Sequence, residues 1–273
     1  MGARFELAGR TALITGAGSG IGRALALALA RRGCNLALAD IDASGLAETA
    51  ARLPAGLRVS RHRLDVSDRE VVAALPAEIR AAHPGLDLLV NNAGVALGGR
   101  FEQVSEADFE WLIGINLWGV VRMTRAFLPL LRESPEARIV NVSSLYGLIA
   151  PPGQTAYATS KFAVRGFSHA LAHELAGSTV GVTVVHPGGV ATRIADSARL
   201  PADLAPEESA RGRAQANSYL KLAPARAAEI ILTAVERRRP RVLVGTDARI
   251  VALLERLMPA AYWPVLARLM RRP

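Results

Sequence analysis

Tyr157 and Lys161 stand four residues apart in a chain that hardly uses lysine: of its 33 Lys+Arg residues, only Lys161 and Lys221 are Lys. On a helix, side chains at this spacing share a face. A phenol with its ordinary pKa of about 10 is a poor proton shuttle near neutrality. A compact ammonium a few ångströms away favours the phenolate and is expected to bring that pKa down. Arg is bulkier, planar and permanently charged, so it would not substitute cleanly. The pair therefore suits acid/base work on an oxygen atom. Two residues on a solvated helix face would read the same way, and the rest of the chain has to decide between the two.

A second chemical feature lies near the N-terminus, where Thr15-Gly16-Ala17-Gly18-Ser19-Gly20-Ile21-Gly22 follows an apolar run and opens a helical one. Glycines let a backbone approach a pyrophosphate closely, and a helix N-terminus offers free N–H groups and a positive dipole. The order T-G-x-x-x-G-x-G departs from the dinucleotide fingerprint G-x-G-x-x-G, so its strand–turn–helix setting carries much of the reading. Asp40 closes the next apolar run, 18 residues after Gly22. A carboxylate there can accept both hydroxyls of an adenosine ribose and repels a 2′-phosphate, which favours NAD over NADP. Arg23 is the nearby cation in sequence, and an Asp that merely caps a turn with Asp42 is the plainer reading.

These residues need elements to hold them. Strand-like runs at 11–15, 35–40, 57–64, 86–90, 138–143, 180–186 and 241–244 alternate with helical patterns at 21–32, 44–53, 68–81, 107–131, 156–176 and 226–238. Strands separated by helices of that length cannot pair as hairpins. The pattern predicts a Rossmann-like α/β fold, a doubly wound, seven-stranded parallel sheet with helices on both faces and its ligand beyond the strands' carboxyl ends. Residues 1–273 form one domain on this reading. Within it, 193–224 is a lid with one or two short helices, and 247–273 is a C-terminal helical extension interrupted by Pro259 and Pro264.

Composition narrows the function classes. The chain is 51% hydrophobic and 21% charged with a net charge of +9. The Arg residues are scattered and aromatics make up 5% of the chain, so a stacking surface for nucleic acid is not expected. The longest apolar run, Ala24 to Ala30, is far below the roughly 18 residues of a membrane span. Cys34 is the single cysteine and Met1 to Arg10 lacks the apolar core of a secretory signal, which points to the cytoplasm. His169 and His173 have zinc-like spacing, but Glu174 does not complete H-E-x-x-H and no third ligand is evident, so no metal is expected. His62, His83 and His186 read as non-catalytic.

Taken with Asp65-Val66, Asn91-Asn92-Ala93-Gly94, Asn116, Ser144 placed 13 residues before Tyr157, and Pro187-Gly188-Gly189-Val190-Ala191-Thr192, the chain resembles the short-chain dehydrogenase/reductase family from about Arg10 to Val244. The resemblance implies Asn116, Ser144, Tyr157 and Lys161 as the catalytic set. Tyr157 would be the acid/base, Lys161 its pKa modulator and a holder of the nicotinamide ribose, and Ser144 the anchor of the substrate oxygen. Asn116 would perturb its helix and hold a water relaying protons from Lys161. It further implies a dinucleotide site formed by Gly16, Ser19, Gly20, Ile21, Gly22, Asp40, Asp65, Val66, Asn92, Ala93, Gly94, Tyr157, Lys161, Pro187, Gly188, Val190 and Thr192. In this set Asp65 serves the adenine, Asn92 and Gly94 the adenosine side, and Thr192 the nicotinamide carboxamide.

Substrate would meet Ser144, Leu145, Tyr146, Tyr157 and Gly189, with Val95, Leu97, Ile149, Pro151 and Pro152 around them. Their apolar character suggests a lipophilic secondary alcohol or ketone. The alternative is a nucleotide-binding regulatory or scaffold protein that kept the site without significant turnover. The family also implies a homodimer or homotetramer through the long helix around Phe109 to Leu131 and the helix carrying Tyr157. The extension either packs on the body or lies on a membrane surface, with Tyr262 and Trp263 at the interface beside Arg268, Arg271 and Arg272.

Overall fold

A computed structural model describes residues 4–270; Met1–Ala3 lie outside them, as do Arg271 and Arg272 of the basic C-terminal cluster. The strands are β1 (Thr11–Thr15), β2 (Asn35–Asp40), β3 (Val59–Arg63), β4 (Leu88–Asn91), β5 (Ala137–Val142), β6 (Val180–Pro187) and β7 (Arg241–Val244). They form one sheet in the order β3-β2-β1-β4-β5-β6-β7, every pairing parallel. The helices between them are α1 (Gly20–Ala30), α2 (Ala43–Ala51), α3 (Arg69–Ala82), α4 (Glu106–Ile113), α5 (Val120–Glu133), α6 (Thr155–Glu174), α7 (Pro206–Ser218) and α8 (Pro224–Glu236).

The five inner strands read as largely apolar runs because both sheet faces are covered there. Ala12 and Ile14 of β1 belong to one core with α1 and α8; Leu13, between them, points the other way into a core with α3, α5 and α6. Edge strand β3 is shorter than its apolar flanks, Leu57 and Leu64, suggest, and it exposes Arg61 and Arg63 to solvent. The chain winds outward from β1 to β3, then crosses back to β4. That reversal opens a crevice above the carboxyl ends of β1 and β4, where a doubly wound sheet binds its ligand.

Three departures from a plain alternation of strand and helix matter for the site. The long helix expected over 107–131 is broken into α4 and α5 by a π-helical turn, Gly114–Gly119, with Asn116 fully buried in it. The segment 193–224 carries one helix, α7, with no buried residue. Its preceding turn is latched to the body: Arg199 pairs with Ala96 and Gly98 through the backbone at 3.0 Å each, donates to Asp108 at 3.0 Å and stacks on Trp111 with its guanidinium 3.6 Å from the ring centroid. The extension forms α9 (Thr246–Leu257) and α10 (Tyr262–Met270). Pro259 falls between them, but Pro264 does not interrupt α10, because it sits in the first turn, where a missing N–H costs nothing. No helix among the described residues is long and apolar enough to cross a membrane.

Candidate active site

The glycine turn joins β1 to α1. Ser19 is the N-cap of α1, its side chain makes no cap hydrogen bond, and no acidic residue occupies the first turn. The helix therefore keeps free donors and an uncompensated positive end for an anion. Gly22 is required by close approach, since a Cβ there would overlap the Gly16 carbonyl oxygen. Asp40 ends β2 with Oδ2 accepting from the Gly18 amide at 2.8 Å and Oδ1 from the Asp42 amide at 3.0 Å. It caps a turn and faces the glycine loop at once, and each oxygen retains a lone pair for a ribose hydroxyl. Arg23 is occupied: it donates to the Gly18 carbonyl, to Glu48 Oε2 at 2.9 Å and to Thr49 Oγ1 at 3.0 Å.

Around the crevice, Asp65 Oδ1 accepts from the Ser67 amide and hydroxyl, beside buried Val66. Asn92 spends its side-chain amide on the Thr15 and Gly16 carbonyls, at 2.9 and 3.3 Å, so it fastens β4 to the glycine turn instead of offering donors to a ligand. The Thr192 methyl lies against Gly20, which brings the turn after β6 onto the N-terminus of α1. A cleft of about 530 Å³ opens there, lined by Gly20, Arg23, Thr192 and Leu220 among others; it lies on the glycine-turn side, away from Tyr157.

Tyr157 and Lys161 lie in the first two turns of α6, both buried, with Lys161 Nζ 5.6 Å from the phenol ring centroid. The electrostatics run against the simple expectation. Burial pushes the Tyr157 phenol up to about 12, and the Ser144 hydroxyl beside it pulls it only partly back. Burial likewise brings the Lys161 amine down to about 8. Desolvation of the phenolate is the largest effect, and the phenol is not made acidic here. Lys161 Nζ donates to the Val142 carbonyl at 3.2 Å.

Gly94 lies at this catalytic end instead of the adenosine side: a Cβ there would stand 3.1 Å from Asn116 Oδ1 and 3.4 Å from Lys161 Nζ. Asn116 braces the loop after β4. Its Oδ1 accepts from the Val95 amide at 2.9 Å, and its Nδ2 donates to the Val95 carbonyl at 3.0 Å and the Ser160 hydroxyl at 3.2 Å. Both side-chain N–H groups are thereby used. Ser144 follows β5 and caps the 3₁₀ turn Leu145–Gly147, its Oγ accepting from the Tyr146 amide at 3.1 Å.

Several supporting residues carry no local motif. Ser143, which reads as an ordinary strand end, donates to the Lys161 carbonyl at 2.8 Å and ties β5 to the catalytic helix. Ser160 donates to the Tyr157 carbonyl at 2.7 Å. His186 is fully buried; its Nδ1–H donates to the Ser144 carbonyl at 2.9 Å, and burial lowers its pKa to about 4, so it is a neutral strut. Tyr146 packs edge-on to Tyr157, centroids 6.0 Å apart. Leu97, Leu112, Ala156 and Tyr157 form a small apolar cluster of their own, with Val95, Phe109, Trp111 and Tyr146 against it. Leu97 and Ile149 are buried.

On the far edge of the sheet, Ser60 bridges His62 and His83 at 2.8 Å each, and His62 meets Glu78 at 2.9 Å. This row has the order of an acyl-transfer triad, but its hydroxyl is bracketed by two imidazoles, and it braces β3 to α3. Among the described residues no three His, Cys, Asp or Glu converge as a metal site.

Comparison with known proteins bears on this arrangement. A family model described as short chain dehydrogenase matches residues 10–202. SadH of Mycobacterium tuberculosis, described as an oxidoreductase, is 44% identical over 263 residues, covering 95% of this chain and 94% of that protein. A short chain dehydrogenase/reductase from Burkholderia phymatum, solved in complex with NAD, superposes with a TM-score of 0.86 at 35% identity, over 93% of this chain and 95% of that one. An alcohol dehydrogenase from Thermococcus sibiricus, solved with 5-hydroxy-NADP, gives a TM-score of 0.73 at 28% identity, over 86% and 95% of the two chains.

Proposed function

The chain belongs to the short-chain dehydrogenase/reductase family of oxidoreductases, and from that premise we propose that it interconverts a lipophilic secondary alcohol and its ketone with NAD. The observation that carries the reading is the burial of Tyr157 and Lys161 side by side, next to Ser144, against a cluster of apolar side chains. The uncapped N-terminus of α1 fits a pyrophosphate, and Asp40 at the end of β2 fits a ribose with free hydroxyls. Arg23, already committed to Glu48 and Thr49, is poorly placed to serve a 2′-phosphate. NAD, when bound, supplies or accepts the hydride.

The chain's own residues manage the oxygen and its proton. Ser144 holds the substrate oxygen against Tyr157. The phenol, held protonated by burial, hydrogen-bonds the carbonyl and gives up its proton as alkoxide character develops, because an alkoxide is a much stronger base than a phenolate. Lys161 is charged below about pH 8 and steadies the phenolate left behind. The walls from Val95, Leu97 and Tyr146 exclude water and favour an apolar substrate.

Absorbance of the reduced nicotinamide, followed over a panel of ketones and secondary alcohols with each dinucleotide, tests the proposal. Turnover of hydrophobic ketones with NADH preferred supports it. Turnover confined to small anionic keto acids would reject the substrate class, and a strong NADP preference would reject the role of Asp40.

A further inference from the structure

The C-terminal extension has two faces with different attachments. On the inner side Ala248 and Val251 are buried. Asp247 Oδ2 accepts from the Gly189 amide at 2.7 Å, and the Tyr262 hydroxyl accepts from the Ala150 amide at 3.0 Å. These bonds fix the extension to the turn after β6 and to the segment that follows the Ser144 turn, on the proposed substrate side of the site. The outer side of α9 is apolar and uncovered: Ile250 is 60%, Leu253 58% and Leu257 70% exposed. At roughly 100° per residue these three fall within an arc of about 60°. Arg249 and Arg256, both exposed and two turns apart, run along one margin of that stripe, and Arg268 is exposed on α10. Asp247, one of the two acids in α9 with Glu255, is engaged by Gly189. The chain as a whole carries a charge of +9.

We infer that the outer face of α9 seats on an anionic bilayer surface and presents the substrate side of the site to alcohols and ketones dissolved in lipid. The Ile-Leu stripe enters the boundary of the acyl chains, while the Arg stems lie along it and their guanidinium groups stay with the head groups. A second copy of the chain on the same stripe would set Arg249 and Arg256 against like charges, which disfavours that partner. Tyr262 is not the free interface anchor its sequence position suggests, because its hydroxyl is turned inward onto Ala150. Only the identity of the substrate rests on the proposed function; the attachment stands by itself.

Flotation of the full chain on phosphatidylglycerol–phosphatidylcholine vesicles, with pure phosphatidylcholine vesicles in parallel, tests the attachment. The chain is expected to float with the anionic vesicles and not with the neutral ones. Leu253→Glu/Leu257→Glu should weaken this at least ~10-fold while reduction of a water-soluble ketone is unchanged, since neither residue touches the site. Arg249→Glu/Arg256→Glu, which leaves the stripe intact, should also release the anionic vesicles. Failure to float, or flotation indifferent to both variants, overturns the inference. So does a fall in oligomeric state by light scattering in the leucine variant when the wild type does not bind vesicles, which would give the stripe to a second copy. Normal turnover without flotation refutes the attachment alone, and flotation without turnover of any ketone refutes the proposed function alone.

Discussion

Burial drives Tyr157 and Lys161 toward the same end, the uncharged form of each. The phenol therefore enters the reaction as an acid whose proton is in place, and its loss is specific. Tyr157→Phe should keep dinucleotide binding, measured by fluorescence titration, while turnover falls by about 10³-fold or more, a direct proton donor being typically worth 10² to 10⁴. Lys161 carries a stability cost that can be read from pH. Its folded pKa of about 8 lies below its ordinary value of 10.5, so the unfolded chain holds the proton more tightly. The cost is fully present below pH 8 and fades as pH rises toward 10.5. Lys161→Met is expected to unfold later in denaturant than the wild type at pH 7, by on the order of 2–3 kcal/mol, with the gap narrowing at pH 9.5, and to lose turnover. The four-residue spacing brought these two groups into view, but the sign of the phenol's shift was not legible there, because desolvation depends on walls contributed by Leu97, Leu112 and Tyr146 from distant segments.

At the scale of elements, the alternation of apolar runs and helical patterns sufficed for all seven strands and their order along the chain, because the inner strands, buried on both faces, leave an unambiguous composition and the edge strands β3 and β7 follow from the rhythm around them. The π turn at Gly114–Gly119 is a different case: Asn116 is held there by Val95 and Ser160, partners 21 and 44 residues away, which no local pattern encodes. The latch on the 193–224 segment is equally non-local. Arg199 joins it to α4 through Asp108 and Trp111, so Arg199→Ala should loosen that segment without touching the glycine turn. The expected result is faster proteolytic cleavage within 193–224 and a KM for a bulky ketone raised several-fold, with NADH affinity unchanged, a stacked and ion-paired Arg being worth roughly 1 kcal/mol. At the other turn, Asp40→Ala removes the carboxylate and its bond to the Gly18 amide. The ratio of kcat/KM with NADP to that with NAD should rise at least ~10-fold, as a repelled phosphate would require.

For the whole molecule, the question is which surfaces are finished. Trp118, on the π turn, and Phe162, on α6, are 49% and 38% exposed, on the two helices that the family resemblance assigns to subunit contacts. If these residues form a subunit contact, Trp118→Glu/Phe162→Glu should lower the mass measured by light scattering, since charged residues are depleted from the cores of such contacts; an unchanged mass would remove Trp118 and Phe162 from any such contact. The scarcity of lysine gives the molecule a further property. Lys221 is exposed and Lys161 is enclosed, and no other side-chain amine exists in the chain. An acylating reagent should label Lys221 at once. It can reach Lys161, which is unusually reactive for its kind because half its amines are neutral near pH 8, only when the enclosure opens. The rate of acylation at Lys161, read by mass spectrometry of the peptide that carries it, is a built-in clock for breathing of the site, and a bound dinucleotide should slow it.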